Sequence, residues 1–113
     1  MKIIFLPEVL EQFLELAEIL YDKGYMSFRE HAEEYMETLF QDINSSLPHK
    51  VHRKAPRWFD RYGEDMSYSV FPKNDNTTWY VFFNVYEIGE ETTYIVRYLS
   101  NNHVIAHHLE LDN

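Results

Sequence analysis

The chain has 113 residues, with 19 acidic and 10 basic side chains for a formal charge of −9; it is 45% hydrophobic and 17% aromatic. That is one domain (residues 1–113), too short for two cores and too apolar for a charge-dominated disordered chain. The charge argues against whole-surface binding of nucleic acid, and the absence of Cys excludes disulfides, thiolate catalysis and Cys-based zinc sites.

Ile3 to Leu6 reads as a short strand buried on both faces. Its four apolar residues are too few for an export leader, and the longest apolar run, Trp79 to Phe83, is far short of a bilayer span. A soluble cytoplasmic protein without membrane contact is the expectation.

Pro7 suits the first turn of a helix, where its missing N–H costs nothing, and Glu8 and Glu11 sit near the positive end of the dipole. Leu10, Phe13, Leu14, Ala17, Leu20 and Tyr21 recur at helical steps and predict one apolar face, with Gly24 as a left-handed stop. Ser27-Phe28-Arg29-Glu30 predicts a capping box opening a second helix. Its apolar stripe is Phe28, Ala32, Tyr35, Met36, Leu39, Phe40 and Ile43, and Ser45-Ser46-Leu47-Pro48 ends it. The acidic runs are expected on solvated faces.

The second half predicts strands. Lys50 to Lys54 is extended up to the interruption at Pro56, Met66 to Phe71 alternates, and Thr78 to Ile88 is long, aromatic and β-branched. Thr92 to Leu99 follows the turn at Gly89, and His103 to Leu109 reads as a further strand or a frayed end. Trp79, Val81, Phe83 and Val85 form an apolar face for the helices, whereas Tyr80, Phe82, Asn84 and Tyr86 suit a partly wet face, with Arg97 beside them. The expected fold is α+β: an N-terminal strand and a two-helix hairpin packed on one face of an antiparallel sheet.

Charge is unevenly spread. Residues 49–73 hold Lys50, Arg53, Lys54, Arg57, Arg61 and Lys73 against three acids, whereas residues 1–48 hold three cations against ten acids. A local basic segment can bind an anion inside an acidic protein, because screening limits repulsion to about 8–10 Å. Lys50 and Arg53 with Tyr80, Tyr86 and Tyr98 are the binding candidates, since cations contact phosphate and tyrosines stack on bases. The alternative is an aromatic-rich core, with the cations paired to the acidic helices.

Strand, helix, helix, then a basic stretch leading into a sheet resembles the RelE/ParE superfamily of bacterial toxins over roughly Ile3 to Leu109. The resemblance rests on Ile3-Ile4-Phe5-Leu6-Pro7-Glu8, on Trp79-Tyr80-Val81-Phe82-Phe83 and on Tyr94-Ile95-Val96-Arg97-Tyr98-Leu99 with the following bend and His103. It implies the toxin of a type II toxin–antitoxin system with a concave sheet bound by a cognate antitoxin. RelE-like members cleave mRNA at the ribosome without a metal, with the RNA's own 2′-OH as nucleophile; ParE-like members act on gyrase. On that implication Lys54, Arg57, Arg61, Arg97 and His103 take the catalytic roles of charge stabilisation and proton movement. Where the family strand carries Arg this chain has Tyr80, which points to the alternative of a non-catalytic interaction module that binds a peptide or a second copy through the aromatic face or a strand edge.

His103 and His107 would share a helical face at the spacing of two imidazole ligands, but no helix start and no carboxylate at motif spacing accompany them or His108. No metal or cofactor is therefore expected. His49 and His52 flank the basic segment as further acid–base candidates.

Overall fold

A computed structural model describes residues 1–105 and 108–109. Strand β1 (Lys2–Phe5) leads into α1 (Pro7–Asp22) and α2 (Arg29–Ser46), and a 3₁₀ turn follows at Leu47–His49. Then come β2 (Arg53–Lys54), a second 3₁₀ segment (Arg57–Arg61), β3 (Ser67–Pro72), β4 (Thr78–Ile88), β5 (Glu91–Asn101) and a short α3 (Asn102–Ile105). The α+β class stands. Among the described residues, no helix is long and apolar enough to cross a membrane.

The sheet has five strands in the order β1-β5-β4-β3-β2. It is mixed where an antiparallel one was expected: β1 runs parallel to β5, with Ile3 opposite Tyr94 and Phe5 opposite Val96. The helical hairpin delivers the chain to the far edge, so the meander grows back toward β1 and its last strand closes against the first. Parallel neighbours need such a long crossover. β1 is consequently a half-buried edge strand and is not enclosed on both faces.

The helices cover one sheet face. Val9, Phe13 and Ala17 of α1 and Ala32, Met36, Leu39 and Ile43 of α2 meet Phe71, Trp79, Val81, Phe83, Val96 and Leu99. Phe5, Phe13 and Phe40 pack ring on ring between the strand and the helices, with centroids 4.5–6.2 Å apart. Two expectations about the hairpin are corrected. Leu10 and Leu14 are not core: they are 44% and 72% exposed, because the buried stripe runs through Val9, Phe13 and Ala17, one residue or about 100° round the helix. The capping box does not form: Phe28 is the N-cap, with no side-chain cap bond, and its carbonyl takes the N–H groups of His31 and Ala32. Gly24 does stop α1, at φ +76°.

The other sheet face, expected to be wet, has its own small core. Ala55, Phe59, Met66 and Phe82 are buried there, with Trp58, Tyr68, Tyr80, Tyr98 and Leu109 around them. On the helix side Val85 is exposed, because β4 runs on past β3, whose pairing ends at Phe83, and becomes an edge there. Between Phe82 and Phe83 the β4–β5 register shifts: Phe82 faces Tyr98 and Phe83 faces Val96, leaving Arg97 as the extra residue of a bulge. The segment from His103 to Leu109, read as a further strand or a frayed end, begins instead as α3, started by the Asn101 side chain, whose Oδ1 accepts the His103 N–H at 2.9 Å. His107 lies outside the described residues.

Candidate functional site

Strand alternation divides the basic segment between two sides of the sheet. Arg53 faces Tyr68 across β2–β3, and Tyr68 faces Phe82 across β3–β4, so Arg53 sits on the outer face, away from the helices. Lys54 faces Ser67, which faces Phe83, and so falls on the helix side. Lys50 is also on that side, its ammonium 4.5 Å from the centroid of Phe71. His52 joins them: its Nε2–H donates to the Leu47 carbonyl at 3.0 Å, and its ring edges against Phe83 and Tyr94.

The Arg57–Arg61 segment folds over the outer face. Pro56, at φ −60° and ψ 154°, turns the chain out of β2, and Phe59 then stacks on Phe82 at 4.3 Å and 23°. Trp58 lies above, stacked on His108 at 3.8 Å. The Arg61 guanidinium sits 4.0 Å from the Trp58 ring, and its Nε–H donates to the Trp58 carbonyl. Arg57 opens the segment, exposed. Trp58, Phe59 and Tyr62 were missed as site residues. The signal was the apolar pair Trp58-Phe59 flanked by charges directly after Pro56, a pattern that needs a surface to cover.

Two tyrosine arrangements follow. Tyr68 and Tyr80 lie 6.0 Å apart beside Arg53. Burial raises the Tyr80 phenol above its ordinary value, Tyr68 adds to this, and Arg53 opposes it. Tyr62 and Tyr98 stack face to face at 3.8 Å and 4°. Burial first, and then the Tyr62 hydroxyl, push Tyr98 up to about 12, against a smaller pull from Ser100. Both phenols are held protonated at neutral pH and are not set up as proton acceptors.

Arg97 is brought to this face by the bulge, its side chain passing Gly63, two residues after Arg61. Its Nε–H donates to Asn84 Oδ1, and one Nη reaches the Tyr86 hydroxyl at 3.4 Å. Asn84 in turn donates to the carbonyls of Glu64 and Asp65. His103 is at the opposite end of β4, its Nε2 3.2 Å from the Thr77 hydroxyl. Thr77 and Asn84 are seven positions apart, or about 23 Å of strand at 3.3 Å per residue. The structure therefore brings Arg53, Arg61, Tyr80 and Tyr98 to one face, with Arg57 on the segment that covers it and Arg97 beside Gly63, Asn84 and Tyr86, and leaves Lys50, Lys54 and His103 elsewhere.

Pairing with the acidic helices takes few of these cations. Among the described residues, ion pairs join Lys73 to Asp42 at 3.7 Å and Arg29 to Glu18 at 2.9 Å, and none involves Arg53, Lys54, Arg61 or Arg97. Nor do the described residues contain a group of three or more side chains able to hold a metal ion.

Comparison with known proteins gives no match to a family model, to a curated protein or to a solved structure.

Proposed function

We propose that the chain is a RelE/ParE-like toxin of a type II toxin–antitoxin pair, and that its outer sheet face contacts RNA. One observation carries this reading: a chain of formal charge −9 gathers Arg53, Tyr68 and Tyr80 on one sheet face and lays Arg61 on Trp58 above it. Guanidinium groups contact phosphate and aromatic rings take unstacked bases, so the pairing suits a single strand. The order of strand, helical hairpin, basic segment and sheet supports the same reading. In cleavage, the RNA's 2′-OH would attack the adjacent phosphate to form a 2′,3′-cyclic phosphate as the P–O5′ bond breaks, its proton passing through solvent to the leaving 5′ oxygen, while Arg53 and Arg61 stabilise the developing charge.

A second reading is a non-catalytic interaction module, favoured by the protonated Tyr80 and Tyr98 and by the distance of His103 from the arginines. Expression of the chain separates the two. Growth arrest, relieved by a neighbouring gene product and accompanied by mRNA cleavage, supports the toxin. Arg57→Ala with Arg61→Ala should abolish the cleavage and leave a hydrophobic interface nearly untouched. Absence of both toxicity and RNA binding removes the RNA reading.

A further inference from the structure

The stripe of α1 that fails to enter the core is not an ordinary solvated face. Leu14 is 72% exposed and Leu10 44% exposed, on a helix whose other exposed positions are mostly carboxylates, with Ile19 at 43%. Between α1 and α2 runs a groove of about 480 Å³, with Leu10, Leu14 and Ala17 on one wall, Met36 and Phe40 on the other, and Phe13 at its base. Glu18, Glu33 and Glu37 rim it. Glu33 and Glu37 are one helical turn apart, and among the described residues neither has a cationic partner. A like-charge pair at that spacing disfavours the helix.

We infer that this groove docks a cationic amphipathic helix of a partner protein. The apolar floor matches the apolar stripe of such a helix, and the α2 rim of Glu33 and Glu37 matches lysines or arginines on its flank, Glu18 on α1 being already paired to Arg29. Leu10 to Ala17 spans about 10 Å at 1.5 Å per residue, so the occupant presents about two turns, with apolar anchors at i, i+3, i+4 and i+7. A second copy of this chain is a poor fit, because α1 and α2 would bring carboxylates against carboxylates. The inference is independent of the RNA reading: the groove belongs to the helical layer and shares no residue with the outer sheet face, so either can fail alone.

The probe is a synthetic helical peptide of about 14 residues, long enough for the two turns and their ends, with Leu at the four anchor positions and Lys elsewhere. A control peptide carries Glu in place of Lys. Binding is followed by fluorescence anisotropy and by amide chemical shifts of the intact protein. The Lys peptide should bind with shifts confined to α1 and α2, weaken as salt rises, and lose at least about tenfold in affinity on Leu14→Asp. Glu33→Lys with Glu37→Lys should weaken it comparably, and the Glu peptide should not bind. Both changes lie on exposed positions, so a melting curve close to that of the natural chain accompanies them. Absence of binding, equal binding to the natural chain and Leu14→Asp, equal binding of the two peptides, or a Leu14-dependent dimer of the chain in sedimentation overturns the inference.

Discussion

Gly63 leaves open the space through which the Arg97 side chain passes: a Cβ at Gly63 would lie 2.5 Å from Arg97 Cδ and 3.1 Å from Met66 Sδ. The glycine is needed for close approach, and the bulge in β5 is what aims Arg97 at it. Gly63→Ala should cost about 1–3 kcal/mol by overpacking and dislodge Arg97 from Asn84. In an Arg97→Ala background the same change should cost less, since the main clash is gone. Chemical denaturation of the four chains of this double-mutant cycle measures the coupling; strict additivity would show that Arg97 does not occupy the space.

The outer core depends on Phe59, which is fully buried and stacked on the equally buried Phe82. Phe59→Ala should cost about 3–5 kcal/mol, as for other large aromatic truncations. The nearby exposed Tyr62 has less to lose: Tyr62→Phe keeps the stack on Tyr98 and removes only the hydroxyl, at about 0.5–1.5 kcal/mol for the lost hydrogen bond. Urea midpoints for the two variants test the contrast.

Alkaline pH should act through Tyr98. Its phenol stands at about 12 in the fold against an ordinary value of 10.0. Above pH 10 the unfolded chain releases this proton while the folded chain retains it, so unfolding gains. The contribution is intact below about 10, falls as pH rises toward 12 and then levels off. Tyr98→Phe should flatten that part of the stability profile. An ultraviolet titration of the natural chain should show one phenol ionising last, and this late step should be missing from the variant.

On the helix side, the Trp79 indole N–H donates to the Tyr35 hydroxyl at 2.9 Å, joining α2 to β4. Trp79 is buried, so Tyr35→Phe leaves its N–H without this acceptor, at a cost of about 1–3 kcal/mol. A melting temperature equal to that of the natural chain would mean that the indole finds another acceptor.

The helices, the long strands and the inward face of Trp79, Val81 and Phe83 were legible in the sequence, because period and turn chemistry are local properties. Periodicity put Leu10 and Leu14 in the one apolar face of α1, but it could not say that the hairpin would turn them away from the sheet. The basic cluster was visible as composition. Its division, with Arg53 outward and Lys54 inward, followed from the strand register.

Tertiary structure alone decided three things: that β1 runs parallel to β5, that Arg97 is a bulge residue, and that Trp58 and Phe59 roof the outer face. Each depends on contacts between segments far apart in the chain. A local pattern shows that a side chain needs cover, but which distant segment supplies it is settled only when the whole chain packs at once.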